Sequence, residues 1–194
     1  MSTKYKIILG SNSPRRKEIL TMAGFKFDIL PISYEEILPD MKLSEEEIPA
    51  YFAEQKALSV EDKIKSDELL VTADTLVFLD GKMMGKPTSR EDALDKLQQL
   101  SGKEHHVITG VCMLTNKKKI VFIDTTKVFF RTFELSELEH YVDNYPVMDK
   151  AGAYGAQDWI GLVGITKLEG SYFNVMGLPI HKVYDQLKYF SEHQ

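Results

Sequence analysis

The sequence predicts a mixed α/β fold, and three observations carry that reading. Short apolar strand-like runs (KIILG at 6–10, LLVTADTLVFL at 69–79, HHVITGVCMLT at 105–115) alternate with segments that open on helix-capping residues. Strong turn signals, Asp80-Gly81 and the NKKK stretch at 116–119, join strand-like runs into hairpins. Strands and helices do not repeat in the regular βαβ order of a doubly wound sheet, so a mixed sheet is expected.

Each element follows from local chemistry. After the KIILG strand, Ser13 suits an N-cap, Pro14 the first helical position and Gly24 the residue that closes the helix. Ile19, Leu20 and Ala23 give that helix its inner face. FKFDILPI (25–32) alternates like a strand, and SYEEILPD (33–40) follows as an acidic loop. Ser44 and Glu47 form a capping-box pattern before a helix to about Val60, with Ile48, Tyr51, Phe52 and Ala53 inward. Ser89 caps the next helix, whose Leu94, Leu97 and Leu100 face inward and which Gly102 stops. The runs 105–115 and 120–133 read as a long antiparallel hairpin, and LSELEHYVDN as a further capped helix. Residues 151–177 are glycine-rich and read as loops plus strands. LPIHKVYDQLKYF closes the chain as a helix, with Pro179 near its first turn.

Composition narrows the function classes. The chain has 194 residues, with 43% hydrophobic and 27% charged, which is ordinary for a globular protein with a proper core. A net charge of −5 opposes general affinity for nucleic acid or anionic membranes, so any basic site is local and suits a small anion. The single cysteine, Cys112, excludes an internal disulfide and a cysteine-rich zinc site, and its apolar run makes it a core residue. Without a leader or an apolar stretch near the roughly 20 residues that span a bilayer, the expected location is cytoplasmic.

Four features offer chemistry. Arg15 and Arg16 fall in the first turn of a helix, where cations oppose the dipole unless an anion offsets them. The alternatives are two solvated arginines or a nucleic-acid arm. Asp74 interrupts an apolar strand, where a carboxylate is costly unless paired, metal-bound or facing a cleft; a solvent-facing edge is the bland alternative. Glu35 and Glu36 offer further carboxylates or simply a solvated loop. Lys86 stands between Gly85 and Pro87, and Lys56 lies on or beside an apolar helix face, where snorkelling is the commoner explanation. His105 and His106 lack metal-ligand spacing and read as structural. Together these residues suit a polyphosphate with a divalent ion, and no Walker-type loop is present.

The motifs SNSPRRKEIL, EE, EQKA, ADTLVFLDGKMMGKP, LSGKEHHVITGV, DKAGAYGAQ and GSYFNVMGLP occur in an order that resembles the Maf family over about residues 6–185. Maf proteins are nucleoside triphosphate pyrophosphatases related in fold to the inosine triphosphate pyrophosphatases. The resemblance implies a single domain over residues 1–194: a mixed twisted sheet with helices, forming two interlaced lobes around a central cleft.

It also implies residue roles. Arg15, Arg16, Lys56 and Lys86 are the phosphate-binding cations, and Ser11 and Ser13 of the first motif lie with the substrate-binding residues. Glu35 and Asp74 are the carboxylates that hold Mg²⁺ or Mn²⁺, and Asp74 matches the proposed proton acceptor. Arg15, Thr75 and Gln157 match the specificity residues of the branch acting on dTTP and UTP; the 7-methyl-GTP branch has Gln in place of Thr75. The sequence departs from that branch at Asp158 and Trp159, which replace a glycine and its small neighbour, and at Gly10, where alanine is common.

The implied activity is hydrolysis of dTTP or UTP, with modified pyrimidine nucleotides as further candidates, to the monophosphate and pyrophosphate. Homodimerisation and a role in cell-division arrest come with the resemblance. The competing readings are a non-catalytic nucleotide-binding regulator of septum formation and a 7-methyl-GTP-type pyrophosphatase.

Overall fold

The computed structural model describes residues 4–35, 37–39 and 42–192; Glu36 lies outside the described residues. Its strands are β1 (Lys6–Leu9), β2 (Phe27–Ile29), β3 (Glu68–Leu79), β4 (Lys82–Met84), β5 (Glu104–Leu114), β6 (Lys119–Phe130) and β7 (Ile165–Glu169). The helices are α1 (Pro14–Met22), α2 (Glu47–Leu58), α3 (Arg90–Leu100), α4 (Leu135–Asn144), α5 (Trp159–Gly164), α6 (Tyr172–Met176) and α7 (Ile180–Glu192). Strand order is β2-β1-β3-β5-β6-β7, with β4 on β3, which makes the sheet mixed as expected. No helix among the described residues is long and apolar enough to cross a membrane.

Packing divides the chain into two compact units: residues 1–74, 109–124 and 177–194, and residues 75–108 and 125–176. The long strands β3, β5 and β6 each give residues to both.

In the first unit, β1 pairs in parallel with β2 and β3, with Leu9 opposite Ile29 and Val71. The chain leaves β1 toward β2 and then returns past β1 to form β3. Connections therefore diverge at the carboxyl end of β1, the place where open α/β sheets bind ligands. This small parallel trio was hidden in a sequence that lacks long βαβ repetition. Helix α1 ends in a Schellman motif: Gly24 has φ +77°, its N–H donates to Thr21, and that of Phe25 donates to Leu20. Ser44 and Glu47 exchange both bonds of the capping box. The core joins Ile8 and Leu70 of the sheet to Ala53 and Ala57 of α2, with Cys112 beside them. Burial pushes the Cys112 thiol up to about 12, so it is an inert core residue.

The second unit builds its core from α3, α4 and the inner faces of the strands around Val77, Val107, Val128 and Phe130. Asp80 and Gly81 (φ 50° and 80°) form the two-residue hairpin turn between β3 and β4. Ser89 Oγ accepts the Asp92 N–H, and Glu134 and Glu137 close a capping box on α4. His105 is buried and shares a 2.7 Å hydrogen bond with Tyr154 Oη, the structural role expected of it.

The glycine-rich region departs from its reading as loops and strands. It holds α5 and α6 as well as β7. Two of its glycines, Gly161 and Gly164, lie within α5 and serve close packing rather than chain breaking. A Cβ at Gly161 would lie 2.1 Å from the Ala156 carbonyl oxygen, and one at Gly164 would lie 2.0 Å from the Phe133 ring.

Candidate functional site

In the first unit, the loops after the parallel strands carry the residues of interest. The N–H of Gly10 donates to Val71 O, so the Ser11–Arg16 segment leaves β1 beside the stretch of β3 that leads to Asp74. Ser11 is buried, and its Oγ accepts from the Ser13 N–H and from Arg16 Nη1, both at 3.2 Å. Arg16 Nε donates to Gly177 O at 2.8 Å. Both arginines are half-buried rather than solvated on the surface. Ser13 occupies the N-cap position of α1, but its side chain makes no capping bond, and no acid sits in the first turn. With no acid of its own in the first turn, that helix end presents its positive dipole, which favours an anion.

Lys56 and Asp74 meet at 2.5 Å, with side chains only 15% and 7% exposed. The meeting has a local cause. Thr72 Oγ1 donates to Ala53 O at 2.6 Å, locking β3 onto α2. Two residues along the strand from Thr72 comes Asp74, and three along the helix from Ala53 comes Lys56, so each repeats on its own inward face. Snorkelling to solvent and an exposed strand edge are both excluded for this pair. Glu35 lies on the exposed loop after β2. Among the described residues, no three His, Cys, Asp or Glu side chains gather as a metal cluster.

In the second unit, Thr75 is half-buried on β3, and Lys86 is exposed just past β4. The carbonyl of neighbouring Gly85 accepts the Gly152 N–H at 3.3 Å, tying the Lys86 segment to the start of the 152–158 loop. Gln157 lies in a turn closed by the Asp158 N–H donating to Gly155 O at 3.0 Å. Tyr141 Oη accepts the Gly155 N–H at 3.1 Å and donates to Asp158 Oδ2 at 2.8 Å. Lys150, itself buried, places its ammonium 3.5 Å from the same oxygen. Tyr141, Lys150 and Asp158 were not singled out in the sequence as one device. The available signal was a tyrosine at an inward helix position, since a buried hydroxyl needs a partner.

Asn174 of GSYFNVMGLP is fully buried and donates to Val107 O and Thr126 Oγ1, both at 3.0 Å. That asparagine ties its loop to the sheet, whereas the same motif's Gly177 carbonyl braces Arg16.

Comparison with known proteins identifies the lineage. The family model described as Maf-like protein matches residues 6–190. The chain is 50% identical to a dTTP/UTP pyrophosphatase of Bacteroides fragilis over 95% of its length and 96% of the relative's. It is also 50% identical to the protein of that name from Phocaeicola vulgatus, over the same shares. A third relative of that name, from Flavobacterium johnsoniae, is 45% identical over 95% of this chain and 94% of its own. The chain belongs to the Maf family. A solved nucleoside-triphosphatase, the dITP/XTP pyrophosphatase of Mycobacterium abscessus, has a TM-score of 0.38 and 13% identity, covering 64% of this chain and 72% of its own. That likeness is too slight to bear on any residue.

Proposed function

We propose that this protein is a nucleoside triphosphate pyrophosphatase that hydrolyses dTTP and UTP to the monophosphate and pyrophosphate. One observation carries the reading: a largely buried carboxylate, Asp74, ion-paired with Lys56 on the strand beside the arginine-bearing helix start. The 50% identity to dTTP/UTP pyrophosphatases over nearly the whole chain supports the substrate class.

In this mechanism Asp74 takes the proton of the attacking water as its oxygen bonds to the α-phosphorus and the α–β anhydride bond breaks. Lys56 holds the Asp74 carboxylate in place. Arg15, Arg16 and Lys86 neutralise charge on the phosphate oxygens, including that building on the departing pyrophosphate. Ser11 fixes the Arg16 fork, and Ser13 starts the helix that presents it. Thr75, Gln157 and Arg15 read the pyrimidine.

The donor set fits a divalent ion only in the way Mg²⁺ is commonly held, by one or two carboxylates with substrate phosphates supplying further ligands. Asp74 and Glu35 would hold it. Such an ion would supply charge neutralisation at the phosphates. Cytoplasmic location and homodimerisation are carried over from the family resemblance; sedimentation of the purified protein reads the second.

The test is pyrophosphate release from a panel of triphosphates with Mg²⁺ or Mn²⁺. Asp74→Asn is expected to lower kcat by roughly 10²–10⁴-fold. Absence of release from every nucleotide with either metal refutes the proposal.

A further inference from the structure

The Gln157 turn is pinned at both ends through one buried hydroxyl. Tyr141 is fully buried on α4. Its oxygen accepts the N–H of Gly155, which opens the turn, and donates to the carboxylate of Asp158, which closes it. Ala156 and Gln157 are the two residues between, and the Asp158 N–H to Gly155 O bond completes the ring. Burial, followed by the hydrogen bond to Asp158, pushes the Tyr141 hydroxyl well above its usual range, so it stays a donor at any physiological pH. Lys150 compensates the Asp158 charge: its ammonium lies 3.5 Å from Asp158 Oδ2 and 3.1 Å from Asp149 Oδ1, and also donates to Pro146 O.

Space around the turn is equally restricted. A Cβ at Gly155 would lie 2.6 Å from Asp158 Oδ2 and 2.9 Å from Gln157 Nε2. The Gln157 amide is therefore folded back onto Gly155, and its Oε1 is buried without a hydrogen-bond partner. An unsatisfied buried acceptor costs free energy. The Tyr141–Asp158 brace holds the turn in which the amide keeps that position.

We infer that Tyr141 and Asp158 are positioning residues for base recognition, acting through Gln157. The inference rests on Gln157 contacting the pyrimidine, as proposed above. It assigns the brace to discrimination among bases rather than to phosphate chemistry.

A double-mutant cycle tests it, reading kcat/KM for UTP against CTP, together with thermal unfolding. Gln157→Ala should reduce the UTP:CTP ratio. Tyr141→Phe, which deletes only the hydroxyl, should reduce it on the order of tenfold, the worth of about one hydrogen bond. In Tyr141→Phe/Gln157→Ala the ratio should equal that of Gln157→Ala alone, because the brace has nothing left to position. Asp158→Glu should recover more of the ratio than Asp158→Ala. Trp159, the sole tryptophan, directly follows Asp158, so its fluorescence on titration with UTP reads loop engagement without turnover.

If Gln157→Ala alters the ratio and Tyr141→Phe leaves it unchanged, or if the two effects multiply, the positioning role is overturned while the base-reading role of Gln157 stands. If Gln157→Ala leaves the ratio unchanged, both fall. A Tyr141→Phe variant that only melts earlier, with an unaltered ratio, also overturns it.

Discussion

Lys56 Nζ sits 2.5 Å from Asp74 Oδ1, and neither side chain is more than 15% exposed. An ion pair so enclosed is held by its surroundings, here by the Thr72–Ala53 hydrogen bond that joins strand to helix.

Breaking the pair from one side leaves a charge in a poor solvent. Lys56→Met is expected to lower unfolding free energy by about 3–5 kcal/mol. Lys56→Met/Asp74→Leu should recover part of that loss, because both charges are gone. Urea denaturation of the parent protein, Lys56→Met, Asp74→Leu and the double variant reads the difference. A double variant as unstable as the sum of two singles contradicts the pairing.

Arg16 forks between Ser11 Oγ and Gly177 O. Lysine keeps the charge but cannot reproduce a planar, two-point grip. Arg16→Lys is thus expected to lower kcat/KM at least on the order of tenfold for every nucleotide tested, with little change in base preference. Arg15 variants should instead shift the preference. Steady-state kinetics on UTP, dTTP and CTP separate the two.

His105 sets an acid limit on stability. Burial pushes its imidazole down to about 3, with neighbouring His106 adding to the effect, against 6.5 in the unfolded chain. Between those values the unfolded chain binds a proton that the folded chain does not. Stability should therefore fall as pH drops from about 6.5 toward 3, then lose no more from this group. His105→Gln should flatten that slope in chemical denaturation measured across the pH range.

Glu137 adds a second window. Its hydrogen bond to Arg131, with the Glu134 N–H behind it, brings the carboxyl down to about 2 from 4.5. That contribution is present above about 4.5 and is lost as pH falls toward 2. Glu137→Gln should remove only this lower part of the acid slope, leaving the His105 part intact.

Two glycines of the first unit should respond unequally to alanine. A Cβ at Gly110 would lie 2.2 Å from the Pro49 carbonyl oxygen, with backbone atoms of Pro49 and Ala50 next nearest. At Gly10 the obstacles are side-chain ends, Ile32 Cδ1 and Thr72 Cγ2 at 2.7 Å. Gly10→Ala is expected to cost about 1–3 kcal/mol, and Gly110→Ala more, since backbone cannot step aside. Thermal denaturation orders them.

What could be read from the sequence was set by near neighbours. Ser89, the Ser44–Glu47 box, Gly24 and the Asp80-Gly81 turn act within a few residues of themselves, so pattern and structure agree. Asp74 and the Arg15–Arg16 pair stood out for a related reason: an acid in an apolar strand and arginines at a helix start are locally anomalous wherever they fold. The helices in the glycine-rich region were not legible, because Gly161 and Gly164 answer to distant backbone and to Phe133.

Tertiary structure alone decided which anomalies belong together. Only the β2-β1-β3 crossing put the Ser11–Arg16 segment beside the strand bearing Asp74. Only packing brought Tyr141 to Asp158, 17 residues away. Composition and spacing state what a residue is able to do. Burial, register and the partners of its hydrogen bonds fix what it does, since a charge or hydroxyl removed from water must be answered by another group.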